Sequence, residues 1–193
     1  MTTELETRCQ ETGKPEFEER AEGSSGAGKI AGYAAMFNTL SQDLGGFKER
    51  IEPNAFDNVL DQDVRAVFNH NPSLIVGRST SGTLRLSVDG TGLAYEVDLP
   101  NTTLGRDLAE LVKRGDISQS SFRFKVLKQS WSIGEDGGEI RTIEQVGQLV
   151  DVSPVTYAAY IDATVAKRSF DETKICNKEL VALKFAHMKK SQA

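Results

Sequence analysis

Short runs of period-two hydrophobicity dominate the middle of the chain. Val64, Ala66 and Phe68 recur every second residue, and so do Leu84, Leu86 and Val88. Leu93, Tyr95, Val97 and Leu99 repeat the pattern after Asp89-Gly90-Thr91-Gly92. Alternation of this kind puts apolar side chains on one face of a strand. The Asp-Gly pair between two such runs predicts a hairpin, because it readily supplies the positive φ of a tight turn. Further strands are predicted over Lys29–Phe37, Leu74–Val76 and Phe122–Val126, with another pair in Ile140–Val146 and Leu149–Val155 after the Gly134–Gly138 turn.

Three segments carry helical spacing instead. Phe56, Val59 and Leu60 predict a short helix over Pro53–Leu60. Leu104, Leu108, Leu111 and Val112 predict a longer one over Thr102–Arg114, with Asn101 or Thr102 as N-cap and Gly115 closing it. Asp171–Lys190 reads as an amphipathic helix through Ile175, Leu180 and Leu183. The expected fold class is α+β and β-rich: a partly closed antiparallel β-barrel flanked by helices.

Charge divides the chain further. Residues 1–22 hold seven glutamates against three basic residues and show no apolar period; the Gly/Ser-rich stretch 23–28 follows. Residues 1–28 are therefore expected to form a flexible acidic arm that does not pack. Residues 29–166 make the main domain, and 167–193 form a basic amphipathic helical tail with seven basic and three acidic residues. The net charge of −5 over 193 residues argues against a domain that grips nucleic acid by its phosphates. No stretch approaches the roughly 18 apolar residues of a membrane span. Cys9 and Cys176 lie near opposite ends without CxxC spacing, so neither a zinc cage nor a disulfide framework is expected. Walker A, GxGxxG and GxSxG patterns are absent, and no cofactor site is expected.

Chemistry then rests on few residues. His70 and His187 are the two histidines, and His70 sits where an apolar strand gives way to a polar turn. No cluster of acids accompanies it, so it is a poor metal ligand and a better acid–base group. If Phe122, Phe124 and Val126 face the core, period two turns Ser121 and Arg123 to the opposite face and leaves Ser120 on the Phe face. A serine nucleophile needs an adjacent base that a third group orients. His70 is the sensible base for Ser121. Asp151, inside an apolar strand, is a candidate orienting acid because burial there calls for a donor. Glu144 has a similar setting, and spacing alone does not choose between them.

Taken in order, these segments resemble a known family: the prohead (capsid maturation) serine proteases of tailed phages, of the herpesvirus assemblin-like clan. The likeness runs over residues 29–165. It is carried by Gly32-Tyr33-Ala34-Ala35-Met36-Phe37-Asn38, Glu49-Arg50-Ile51-Glu52-Pro53-Asn54-Ala55-Phe56, Phe68-Asn69-His70-Asn71, Ser121-Phe122-Arg123-Phe124 and Leu149-Val150-Asp151-Val152-Ser153. The resemblance implies a herpesvirus protease-like fold, His70 as general base, Ser121 as nucleophile and Asp151 as the third member, with Glu144 the alternative acid. It also implies cleavage of the scaffolding region of the major capsid protein, and of the chain itself, inside an assembling prohead in the host cytoplasm. Self-association as a dimer follows from the same analogy; nucleic acid, membrane, metal and cofactor are not expected. The competing expectation is a catalytically inactive capsid-assembly or scaffold protein on the same fold. The sequence departs from the family pattern in places: members often carry Glu at the position of Asp151 and Gly at that of Arg123, and the usual Pro-Ala-Tyr after this strand reads Ala158-Ala159-Tyr160. A cation beside the nucleophile would be expected to alter the substrate groove or to support an oxyanion.

Overall fold

The structure, a computed structural model, describes residues 4–10, 14–19 and 26–157. The expected helix over Asp171–Lys190 and the basic tail lie outside the described residues. Among the described residues, ten strands form two sheets, accompanied by one α-helix. The larger contains β1 (Glu6–Gln10), β9 (Gln119–Ile133), β10 (Glu139–Val155), β5 (Arg65–Val67) and β6 (Ile75–Arg78) in that order, with β4 (Phe47–Ile51) also paired to β10. The smaller has the order β2 (Glu16–Glu18), β3 (Lys29–Met36), β8 (Gly92–Asp98), β7 (Leu84–Val88). Inward side chains of both sheets, among them Ile30, Leu93, Phe122, Phe124 and Val152, share one apolar core. Phe122 stacks on Phe124 at 4.7 Å and meets the edge of Phe56 at 5.8 Å.

The β-rich class holds, but the barrel does not. The described strands form two separate sheets, and the larger one is mixed rather than antiparallel: β4 and β5 both run parallel to β10. The length of β10 explains this. Its 17 residues pair with β4 over Glu139–Ile143 and with β5 over Asp151–Val152. Between these stretches its edge is met by the chain joining β4 to β5, where Val146 N–H donates to Ala55 O and Leu149 N–H to Gln62 Oε1. Bulges around Gln145 and Gly147 keep β10 on β9 as one strand, where two were expected.

Pro53–Leu60 forms successive turns instead of a helix, closed by Ala55→Glu52, Asp57→Asn54 and Val59→Phe56 backbone bonds. Phe56 and Val59 still reach the core. The longer helix is as expected: α1 spans Thr103–Arg114, Thr102 Oγ1 accepts from Gly105 N–H, and Gly115 ends it at φ 82°. The β7–β8 hairpin is present, though for another reason than positive φ. Gly90 is not among the left-handed residues; the Asp89 carboxylate instead accepts from Thr91 and Gly92 N–H.

The largest departure is at the N-terminus. Glu6–Gln10 and Glu16–Glu18 are strands, where an unpacked arm over residues 1–28 was expected. The second strand lays Phe17 against the core, and the first is held by charge. Glu6 and Arg8 are buried against Glu49 and Arg141, with Arg8 Nε 2.7 Å from Glu49 Oε1 and Arg141 Nη2 2.8 Å from Glu6 Oε1. Burying a charge is unfavourable unless partners replace its water, and here each charge has them.

Candidate active site

The site is assembled on one face of the β9–β10 pair. Ser121 lies opposite Ser153 and Arg123 opposite Asp151 in the antiparallel register, so all four side chains share a face. Ser120 points the other way and meets Tyr95 Oη at 2.8 Å within the core. The choice of Ser121 over Ser120 by strand period thus agrees with the observed orientation.

His70 comes from the turn after β5. Asn69 and His70 both have left-handed backbones, at φ 53° and 55°, an uncommon conformation for residues with a Cβ. Such a pair persists only where the surroundings hold it. Asn69 supplies that hold: its N–H donates to Pro154 O, its Oδ1 accepts from Thr156 N–H, and its Nδ2 donates to Thr156 Oγ1. The turn is thereby tied to the end of β10, and the imidazole is aimed across the sheet.

Three of the predicted residues converge. His70 Nε2 is 2.6 Å from Ser121 Oγ, and His70 Nδ1 is 2.5 Å from Asp151 Oδ1. A carboxylate at Nδ1 favours the tautomer with its proton there, leaving the Nε2 lone pair for the serine proton. Burial by itself pushes the Asp151 carboxyl up, but hydrogen bonds and charge from His70 and Arg123 overcome it, and the group sits below its ordinary value. Glu144 is not with this group; it pairs with Lys128 at 2.7 Å.

Two further side chains complete the arrangement. Arg123 places both Nε and Nη2 on Asp151 Oδ2, at 2.6 and 2.5 Å, so that Oδ1 remains for the imidazole. The cation beside the nucleophile is therefore paired with the acid. Ser153, which sequence reasoning passed over, lies 3.0 Å from His70 Nδ1 and donates to Asp151 Oδ1 at 3.1 Å. Its position two residues after Asp151 on the same strand was the available signal. Among the described residues, no group of three or more His, Cys, Asp or Glu side chains could hold a metal ion. Chemically, the arrangement can remove the Ser121 proton and hold an imidazolium between two acceptors, the first requirement of acyl transfer.

A serine, an imidazole and a buried carboxylate in this order are the components of a serine hydrolase site. Residues 15–175 match the family model of the caudovirus prohead serine proteases, and the chain belongs to that family. In fold it is similar to the bacteriophage T4 capsid assembly protease, gp21, with a TM-score of 0.51 at 13% identity, covering 79% of this chain and 99% of that one. No curated protein matches the chain. Among the described residues, no helix is long and apolar enough to cross a membrane.

Proposed function

We propose that the chain is the capsid-maturation endopeptidase of a tailed phage, with Ser121 as nucleophile, His70 as general base and Asp151 as the acid that orients it. Its substrate is the scaffolding region of the major capsid protein, cleaved inside the assembling prohead, together with exposed segments of the chain itself. The observation that carries this reading is the Ser121–His70–Asp151 relay of 2.6 and 2.5 Å, in a chain that belongs to the prohead serine protease family.

The mechanism follows from the geometry. His70 Nε2 takes the Ser121 proton as Oγ adds to the scissile carbonyl, and Asp151 stabilises the imidazolium through Nδ1–H. The imidazolium then protonates the leaving amine, and water activated by the same nitrogen releases the acyl group. Arg123 and Ser153 keep Asp151 fixed while this charge appears and disappears.

One observation favours the competing reading of an inactive assembly protein: Ser121 has no exposed surface. The two are separated by reaction with a fluorophosphonate probe and by co-expression with the capsid precursor. An enzyme labels at Ser121 and trims the precursor, and Ser121→Ala does neither. A wild-type chain that neither labels nor cleaves, while folded by circular dichroism, would favour the assembly protein.

A further inference from the structure

What covers Ser121 is strand β1. It runs antiparallel along the free edge of β9 with Cys9 opposite Ser121, Arg8 opposite Phe122 and Glu6 opposite Phe124. The Arg8 carbonyl oxygen lies 2.8 Å from Ser121 Oγ. Ser121 has one hydroxyl proton and two acceptors within reach, His70 Nε2 and this carbonyl. When the proton goes to His70, Oγ is left beside the Arg8 carbonyl group. An extended peptide added to a sheet edge, with its backbone at the nucleophile, is a common geometry of peptide recognition.

The side chains of β1 alternate accordingly. Arg8 and Glu6 point to the face away from Ser121, into a buried site made by the body of the protein. The Arg8 guanidinium is held by Glu49 at 2.7 and 3.0 Å, with its carbon 5.8 Å from the centre of the Phe124 ring. Glu6 is gripped by Arg141 at 2.6 and 2.8 Å. Glu49 and Arg141 also pair with each other at 2.8 Å. The body's half of the cluster is thus neutral without the strand, and it stays neutral once one acid and one base are added.

We propose that the β9 edge beside Ser121 is the substrate groove, occupied here by the chain's own Glu6–Gln10, and that Glu49 and Arg141 select an arginine at the scissile bond and an acid two residues before it. This rests on the protease reading above and names its substrate class. The self-substrate bond is Arg8–Cys9. Ser121 Oγ bonds to the Arg8 carbonyl carbon as its proton passes to His70; the C–N bond breaks, and the Cys9 nitrogen leaves with that proton. Water then hydrolyses the ester, giving the Arg8 carboxylate and restoring Ser121. Until that bond is cut and the strand released, β1 excludes other substrates.

The test uses the full chain carrying Glu6→Ala and Arg8→Ala, which vacates both side-chain positions, and a fluorogenic peptide with the sequence of residues 4–10. Cleavage after the arginine is expected, with kcat/KM about 10²-fold lower or worse when that arginine is alanine, because a site built around buried polar groups rejects an analogue that leaves them unpaired. Adding Glu49→Gln should erase most of that preference. In the wild-type chain, loss of residues 1–8 by intact mass, absent in Ser121→Ala, is the corresponding self-cleavage. Fluorophosphonate labelling of Ser121 without preference for the arginine peptide would overturn the groove assignment and leave the protease standing. Absence of labelling and of all cleavage would remove the protease instead. Anisotropy of the labelled peptide on the same variant then decides the groove: binding at least tenfold tighter than for a peptide with Glu and Arg exchanged supports it, and equal binding overturns it.

Discussion

Two clusters of paired charges lie on opposite faces of β9. On one face, Asp151 joins His70, Arg123 and Ser153 and leads to Ser121. On the other, Glu6, Arg8, Glu49 and Arg141 close on one another. The second has two permanent cations, two carboxylates and a neutral sum, with every side chain at most 5% exposed. The first has an odd member: an imidazole, 13% exposed, that shares a proton with a hydroxyl. That imidazole is held in a left-handed turn, whereas all four residues of the second cluster lie in strands. A cluster in which every charge is matched has no proton to give, so it orders and selects. A cluster with one switchable group can do chemistry.

The largest loss is expected at the proton relay. Ser121→Ala or His70→Ala should lower kcat on the capsid precursor by about 10⁶, the scale seen where such members act as a unit. The double variant should be hardly slower than either single one, and all three should melt near the wild type. Ser120→Ala as the inactive variant, with Ser121→Ala fully active, would refute the assignment. Next in size is Asp151→Asn, which keeps the shape but allows the wrong tautomer; a loss of roughly 10⁴ in kcat is expected. Glu144→Gln, whose partner is Lys128 on the surface, should change kcat by less than threefold. Equal losses for the two would leave Asp151 without a special role.

On the second face the expected loss is in stability. Arg141→Met removes the guanidinium shared by Glu6 and Glu49 and leaves buried carboxylates short of a partner, at about 3–5 kcal/mol. Urea unfolding at pH 7 measures it. A loss below about 1 kcal/mol would mean that the four charges are dispensable to the fold.

The same contrast explains which parts of the molecule were legible in the sequence. The β7–β8 hairpin and α1 are stabilised by neighbours within the segment, through alternation, a Thr102 cap and Gly115, so local pattern sufficed. The facing of Ser121 and Arg123 followed from period two, whereas spacing left Asp151 and Glu144 open as the acid. Strand β1 did not: Glu6 and Arg8 are polar, and what makes them a strand lies 135 and 41 positions away in Arg141 and Glu49. No window along the chain contains that pairing. The barrel expectation failed for a related reason, since strand period says nothing of whether β4 and β5 pair with β10 in parallel. At Pro53–Leu60 the spacing found the buried side chains correctly and mistook their backbone for helix.

The smallest effect expected is a difference in acid response. Asp151 and Glu6 are both held below the ordinary carboxylate value, each against burial, by His70 and Arg123 in one case and by Arg141 and Arg8 in the other. A carboxyl depressed in the folded state contributes stability above its unfolded value, about 3.9 for Asp and 4.3 for Glu. That contribution is lost as pH falls through the lower folded value. Asn imitates the protonated acid, so Asp151→Asn should be less stable than the wild type at pH 7 by an amount that shrinks steadily below about pH 4. Arg141→Met should likewise approach the wild type in acid, because protonated Glu6 no longer needs a cation. Unfolding free energies at pH 7, 5 and 3 for the three proteins measure the convergence. A gap for Asp151→Asn that stays constant across that range would show that the fold does not lower this carboxyl, and a gap that moves in the wild type's favour as pH falls would show that the acid carries the proton in its hydrogen bond to His70.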